Sequence, residues 1–412
     1  MSTPSPLPVP QGVSLRDLQQ LSAHALDILK DAKGRTMAAM ATSGQVIKEA
    51  PMLSSADLEE ITGLDRRSIL NLPGRGVLPD GSMRGNKRVW TLDEAMPLIR
   101  EKRASMLRPN GAAGVTITCA NFKGGVAKTT TTVALAQGLS LRGHKVLVVD
   151  LDPQGSATTL FGRSPEAQDE DAPDDTAMSL FMGNEDTLAY GVRSTYWQGI
   201  DLVGANVSLF SAEFALPARQ LDEGQFYFWK VLDEGLDALR DVYDVIIIDT
   251  APALSYTTIN GLMAADIMLV PLPPSSLDFA SSAQFFEMFS DLWAALVSRP
   301  GLWEAELTAA GASKRYSYIN VLLSRVDGLD SSTEGVRRWI MQAYQDKVLP
   351  VEIPKSAATT TSAVGFSTIY DMLHRGMLSP RTLSRAKDAY DRLVHIMEQQ
   401  IIDTWKQQLL AS

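Results

Sequence analysis

The feature that most restricts the fold of this chain is an apolar stretch that runs into a glycine-rich turn and then into a helical pattern. Residues 115–120, VTITCA, are apolar and β-branched, which is typical of a strand buried on both faces. The turn KGGVAKTT follows at residues 123–130, and VALAQ at residues 133–137 continues as a helix. Strand, glycine turn and helix in this order predict a phosphate-binding loop.

The chemistry of this loop depends on its glycines and on the first residues of the helix. Gly124 and Gly125 let backbone N–H groups converge on phosphate oxygens, and the helix N-terminus adds partial positive charge. Lys128 is predicted to lie along the β- and γ-phosphates, and the Thr129 hydroxyl to bind Mg²⁺. We therefore expect ATP or ADP, together with Mg²⁺, as ligands of this loop.

The loop departs from the common phosphate-loop pattern at two positions. Ala127 stands where a glycine usually precedes the lysine, and Phe122 stands where the first glycine is expected. A second lysine, Lys123, opens the loop instead. Because alanine is only slightly larger than glycine, we expect nucleotide binding to survive the change.

Carboxylates follow two further buried strands. Residues 145–149, KVLVV, run into Asp150 and Asp152, and residues 243–248, YDVIII, run into Asp249. Ligands of an open parallel sheet sit beyond the carboxyl ends of its strands, so we expect these aspartates to face the nucleotide. Asp249 is predicted to hold Mg²⁺ through water, and Asp150 to support Mg²⁺ or the lysines. Further strands are predicted at residues 267–270 and 318–323.

The two-lysine loop and the segment DLDPQG at residues 150–155 resemble the signature-lysine ATPases of the ParA type, which partition plasmids and chromosomes. The resemblance runs from residue 119 to about residue 370. It implies a weak ATPase with a doubly wound, mostly parallel α/β domain. It also implies that Lys123 reaches across a homodimer to the partner's nucleotide, that Asp152 orients the attacking water, and that Pro354 approaches the adenine.

Motif and resemblance together give an expected nucleotide site. Catalytic roles are expected for Lys123, Lys128 and Asp152, and metal binding for Thr129 and Asp249. The residues expected to bind the nucleotide are Lys123, Gly124, Gly125, Val126, Ala127, Lys128, Thr129, Thr130, Asp150 and Pro354.

A separate module is predicted ahead of the ATPase domain. Residues 54–72 have the pattern of two short helices joined at Gly63, and residues 85–91, GNKRVWT, have that of a basic hairpin. This arrangement resembles the winged helix-turn-helix of MerR-type regulators, although any helical hairpin can give a similar pattern. The expected DNA contacts are Arg66, Arg67, Ser68, Asn71, Lys87 and Arg88.

The charge distribution favours DNA binding by this module, although the chain as a whole carries a net charge of −10. Residues 64–108 contain ten basic and five acidic side chains, so a basic segment sits within an acidic protein. A solvated charged surface is the alternative explanation of the charge alone.

We therefore expect three parts: a flexible leader and dimerisation helix (residues 1–50), a winged helix-turn-helix domain (51–110) and the ATPase domain (111–412). The helical pattern of the first part runs from Ser14 to about Ala41. Without a run of eighteen apolar residues or a signal peptide, and with Cys119 alone, a cytoplasmic protein without a membrane partner is expected. The expected partners are a second copy, operator and nonspecific DNA, and a centromere-binding ParB-type protein, with nucleoid association in the ATP form.

The sequence leaves three other functions open. A metabolic enzyme can use the same loop, but it has no need of a helix-turn-helix module. A membrane-associated division-site ATPase would carry a basic amphipathic tail, whereas residues 393–410 are amphipathic but not basic. A nucleotide-sensing repressor would differ in its hydrolysis, which DNA and a partner protein would not accelerate.

Overall fold

The computed structural model describes residues 48–165, 174–222, 226–297, 314–327, 332–355, 368–371 and 380–411, together with Gln20, His24 and Ile28. The chain divides into two compact units, residues 1–49 and residues 50–412. Apart from those three single residues, the predicted dimerisation helix lies outside the described part of the chain.

The amino-terminal part of this unit is a small module of short helices and strands. Gly63, at φ +71°, ends the first helix, and Leu58, Ile69 and Trp90 are buried between the elements. The strands form an antiparallel sheet in the order β1-β3-β2. The elements are β1 (Leu53–Ser54), α1 (Ser55–Thr62), α2 (Arg66–Asn71), β2 (Ser82–Arg84), β3 (Lys87–Trp90) and α3 (Leu92–Lys102).

Side chains at the starts of the module's helices explain where these helices begin. The Ser54 hydroxyl and the Asp57 carboxylate form a capping box at α1, and Thr91 and Glu94 do the same at α3. Asp65 caps α2 by accepting the backbone N–H of Ser68. The predicted helix, glycine turn, helix and basic hairpin are therefore all present as local structure.

An eight-stranded sheet follows, in the order β11-β10-β9-β4-β8-β5-β7-β6. Every neighbouring pair is parallel except β6 and β7, which are antiparallel. The strands are β4 (Val115–Cys119), β5 (Val146–Asp150), β6 (Arg193–Ser194), β7 (Ile200–Val203), β8 (Val245–Asp249), β9 (Ile267–Leu272), β10 (Tyr318–Val326) and β11 (Val348–Pro354).

Helices cover both faces of this sheet. Alternate residues of one strand enter different cores: Ile247 packs in the core that includes Leu135 and Leu393, and Ile246 packs in the core that includes Leu216. The helices are α4 (Lys128–Leu141), α5 (Ser156–Leu160), α6 (Met178–Met182), α7 (Ala212–Asp222), α8 (Val231–Gly235), α9 (Asp237–Arg240), α10 (Tyr256–Ala264), α11 (Ser276–Val297), α12 (Ser332–Tyr344) and α13 (Pro380–Ala411).

The predicted α/β domain with a mostly parallel, doubly wound sheet is thus confirmed. Each strand predicted from an apolar β-branched run is present, and β4, β5 and β8 are buried along their whole length. None of the helices in the described part of the chain combines the length and the apolar character needed to cross a membrane.

The last helix, α13, joins the small module to the ATPase fold through a buried cluster of charges. The Glu398 carboxylate, with a side chain 1% exposed, accepts hydrogen bonds from Arg103 at 2.6 Å and from Arg142 at 2.8 Å. Nε2 of His144 lies 2.9 Å from the same carboxylate. Arg103 follows α3, whereas Arg142 and His144 follow α4, so one carboxylate links three parts of the chain.

Candidate active site

The glycine-rich loop between β4 and α4 is fastened to the carboxyl ends of β9 and β10. The Asn121 side chain donates to the Pro271 carbonyl at 2.9 Å and accepts the backbone N–H of Lys123 at 3.1 Å. The Ser324 hydroxyl donates to the Val126 carbonyl at 2.9 Å, and the Arg325 guanidinium donates to the Gly125 carbonyl. The loop is therefore held by contacts with two neighbouring strands, β9 and β10.

The position where related loops carry glycine has a conformation that favours glycine. Ala127 is the N-cap residue of α4 and has φ +76°, in the left-handed region. A residue with a Cβ atom costs about 1 kcal/mol there. The alanine is accommodated, and the helix N-terminus remains directed at the loop, as the sequence predicted.

Lys128 begins α4 and is nearly buried, at 6% exposure. Its ammonium donates to the Lys123 carbonyl at 3.0 Å, across the loop. Burial lowers the pKa of Lys128, and the negative charges of Asp249 and Asp152 act against this decrease. The structure therefore brings Lys128, Asp152 and Asp249 close enough to interact electrostatically.

Asp249, at the end of β8, has one carboxylate oxygen available for a cation. Oδ1 accepts a hydrogen bond from Thr132 at 3.2 Å, but the buried Oδ2 accepts none of good geometry among the described residues. Burial raises the pKa of Asp249 to about 8, and the negative charge of Asp150 adds to the increase. A cation beside Oδ2 would offset both effects, so the site fits a divalent metal ion.

The donor set around Asp249 fits Mg²⁺ better than a metal that prefers protein ligands. In the described part of the chain, no three His, Cys, Asp or Glu side chains form a metal-binding group. The half-buried Thr129 lies close enough to lower the pKa of Asp249. One hydroxyl and one carboxylate leave most positions to water and phosphate oxygens, which is how Mg²⁺ commonly binds.

Asp150 and Asp152 have different surroundings, although they are two residues apart. The fully buried Asp150 accepts hydrogen bonds from the Thr158 backbone at 2.9 Å, the Thr158 hydroxyl at 2.8 Å and the Asp152 backbone at 3.1 Å. Burial raises its pKa to about 6, against those hydrogen bonds. Asp150 therefore holds the turn that carries Asp152, and its predicted support of Mg²⁺ or the lysines stays a prediction.

Of the remaining predicted residues, all but Pro354 lie at the loop. Lys123 lies at the loop, where its ammonium pairs with Asp278 at 2.8 Å within the same chain. Gly124 is exposed and Thr130 is half-buried. Pro354 pairs in register with Val326 on β10 and lines a cavity with Arg385. The cavity runs along β11, and the role of Pro354 in adenine binding stays a prediction.

Two residues at this edge were not assigned site roles from the sequence: Asn121 and Asp278. Both lie beyond the carboxyl end of a strand, Asn121 after β4 and Asp278 after β9. The rule that ligands sit beyond strand ends could have drawn attention to them. Their contacts with the loop required the strand order, which the sequence did not give.

The basic residues of the small module reach its surface. Arg67, Asn71 and Lys87 are exposed and Arg88 is half-buried. Arg66 is exposed but pairs with Glu59 at 3.0 Å. The Ser68 hydroxyl donates to Asp65, so it is already used in capping α2. Arg67, Asn71 and Lys87 are therefore the most available of the predicted DNA contacts.

Comparisons with known proteins agree with this site. A family model described as an AAA domain matches residues 114–296. The chain is 30% identical over 293 residues to a Rhizobium rhizogenes protein provisionally named replication protein A, covering 70% of this chain and 69% of that protein. It is 34% identical over 241 residues to SopA of Escherichia coli strain K12, covering 57% of this chain and 61% of SopA.

The fold is also similar to that of a solved structure. The structure of a partition protein superimposes with a TM-score of 0.60 at 19% identity, covering 92% of this chain and 99% of that one. That likeness concerns the fold, and the sequence relatives carry the assignment. With a two-lysine phosphate loop on a parallel sheet and these relatives, the chain belongs to the ParA-type partition ATPase family.

Proposed function

We propose that this protein is a DNA-partition switch whose dimer is closed by ATP and opened by hydrolysis. In this proposal the closed dimer binds nonspecific DNA, and a centromere-binding ParB-type partner stimulates hydrolysis. The ADP-bound or nucleotide-free form binds its own operator and represses. The observation that carries the proposal is the convergence of Lys128 and the buried carboxylate of Asp249 on a loop that also carries Lys123.

The site residues have separate tasks in this proposal. When bound, Mg·ATP supplies the γ-phosphate that is transferred to water. Lys128 and the backbone N–H groups of the loop bind the phosphates, and Thr129 and Asp249 hold the metal. Asp152 orients the attacking water, and Lys123 contributes a positive charge to the nucleotide of the other subunit. The fastening of the loop to β9 and β10 keeps these groups in place.

We further propose that the small module is a winged helix-turn-helix that reads the operator. Helix α2 presents Arg67 and Asn71, and the β2–β3 hairpin presents Lys87. A short exposed helix beside a basic hairpin can contact base edges and phosphates, respectively. Because the chain belongs to a partition ATPase family, the module is better explained as part of a partition system than of a metabolic enzyme.

The direct test is ATP turnover by the purified protein alone, with nonspecific duplex DNA, and with DNA plus the purified centromere-binding partner. We expect weak basal turnover that DNA and partner raise together. Turnover that responds to neither would contradict the partition cycle. It would favour a nucleotide-sensing repressor built on the same phosphate site.

Replacing Asp152 by alanine is expected to reduce turnover by about 100-fold, because a positioned carboxylate that orients or deprotonates water contributes on that order. The variant should still bind ATP and should remain trapped as the closed dimer. Turnover and dimer lifetime are measured together with Asp237→Ala, which removes an exposed carboxylate paired with Arg240, as the control. Normal turnover by Asp152→Ala would rule out the proposed role.

Replacing Arg66 and Arg67 together by alanine is expected to weaken operator binding by at least about tenfold while leaving ATP turnover unchanged. Operator binding is measured by fluorescence anisotropy at fixed salt, with a scrambled duplex alongside. A variant in which the exposed Lys347 and Lys406 become alanine undergoes the same change in net charge. Equal losses in both variants would argue against a specific reader on α2.

A further inference from the structure

We propose that Asp278 is a positioning residue for Lys123: it holds the ammonium within its own subunit, so that dimer closure must exchange this ion pair for the partner's phosphate. The inference rests on the proposed in-trans role of Lys123. It adds a residue that opposes closure until a phosphate of sufficient charge competes for the lysine.

The carboxylate of Asp278 is fixed in place. Asp278 lies in the first turn of α11, where the helix dipole favours a negative charge. Its backbone N–H donates to the Ser275 hydroxyl at 3.2 Å, and that hydroxyl donates to Oδ2. Oδ2 is therefore engaged by the helix cap, and Oδ1 faces the ammonium of Lys123 at 2.8 Å.

Lys123 is the partner that can move. Its backbone is held, because its N–H donates to Asn121 and its carbonyl accepts Lys128. Its side chain is 36% exposed, whereas that of Asp278 is 12% exposed. A lysine carries its charge on a flexible four-carbon chain. Exchange of partners therefore needs rotation of one side chain, without movement of the loop backbone or of α11.

The strength of the ion pair suits an exchangeable contact. A partly exposed ion pair of this kind favours the paired lysine over the unpaired lysine by about threefold. A triphosphate in the second subunit carries more negative charge than a single carboxylate and can therefore displace it. Because a symmetric dimer contains two such lysines, removal of both ion pairs should lower the dissociation constant of the dimer by about tenfold.

The experiment compares Asp278→Asn with the unmodified protein by sedimentation velocity at saturating ATPγS and without nucleotide. Asparagine keeps the size of the side chain and can still accept from Ser275, but it loses the charge. We expect the dissociation constant of the ATPγS dimer to fall about tenfold. We expect no change in the absence of nucleotide. Asp278→Glu, which restores the charge, should return the dimer constant towards that of the unmodified protein.

A second background separates this inference from the proposed function. In Lys123→Gln protein, Asp278→Asn should have no effect on the dimer constant, because the two residues act through one contact. An unchanged or weaker ATPγS dimer in Asp278→Asn alone would overturn the positioning role. If Lys123→Gln did not weaken the ATPγS dimer, the in-trans role of Lys123 would fail, whatever the result for Asp278.

Discussion

Replacing Glu398 by glutamine is expected to lower the free energy of unfolding by about 3 kcal/mol, because it removes a buried negative charge that pairs with two partly buried arginines. Arg103 and Arg142 both donate to this carboxylate, and their side chains are only 17% and 21% exposed. Glutamine preserves the shape but leaves these guanidinium groups without a counter-charge. Urea denaturation measures the effect as a shift of the midpoint at constant slope.

Acid titration gives the same variant a second readout. Burial alone would raise the pKa of Glu398, but its interactions with His144, Arg142 and Arg103 outweigh burial and lower it from 4.5 to about 2. A carboxylate with a lowered pKa stabilises the fold above pH 4.5 and loses that contribution as the pH falls towards 2. The stability difference between the two proteins should therefore shrink below pH 4.5.

Asp403→Asn is the matched control on the same helix. Asp403 forms an exposed ion pair with Lys406, with side chains 47% and 67% exposed, respectively. Such pairs contribute less than about 1 kcal/mol. A loss in Glu398→Gln no larger than in Asp403→Asn would mean that the cluster does not stabilise the fold through its charge.

Replacing Lys128 by methionine is expected to weaken ATP binding by at least about 100-fold, which corresponds to roughly 3 kcal/mol for loss of a charge-assisted phosphate contact. Methionine keeps much of the length of the side chain and removes its charge. The Lys128 ammonium is already desolvated and already directed into the loop by its bond to the Lys123 carbonyl. Titration of a fluorescent ATP analogue measures the affinity, and circular dichroism verifies folding.

Lys145→Met provides the comparison for this substitution. Lys145 immediately precedes β5, so it lies at the amino end of a strand whose carboxyl end approaches the nucleotide loop. Its ammonium stacks over the Tyr243 ring at 4.7 Å. The ATP affinity of Lys145→Met should equal that of the unmodified protein. Unchanged affinity in Lys128→Met as well would show that the loop does not bind phosphate through this lysine.

Much of the ATPase core could be predicted because its strands are buried on both faces. Runs such as VIIID in β8 need no alternation of polar residues, and they leave a recognisable apolar signal that ends in the functional carboxylate. The left-handed conformation of Ala127 could also be inferred, because related loops place glycine at this position. Local sequence therefore located the loop, its lysines and Asp249.

Contacts between distant segments could not be predicted in the same way. Asp278 lies in the helix after β9, and Lys123 lies in the loop after β4. Only the observed order β9-β4-β8 shows that these two strands are neighbours. Asp150 lies only two residues before Asp152, and the turn into α5 is what brings Thr158 onto it. The buried position of Glu398 could not be predicted, because an acidic residue in an amphipathic helix normally lies on the surface.

The position of Glu398 also has a consequence for how the chain is made. It lies 295 residues after Arg103, so at ordinary translation rates roughly 15 to 60 s separate the synthesis of the two residues. During that interval the small module and the growing sheet lack the carboxylate that joins them. This contact can therefore form only after α13 has left the ribosome, and a nascent or truncated chain that lacks α13 would lack it.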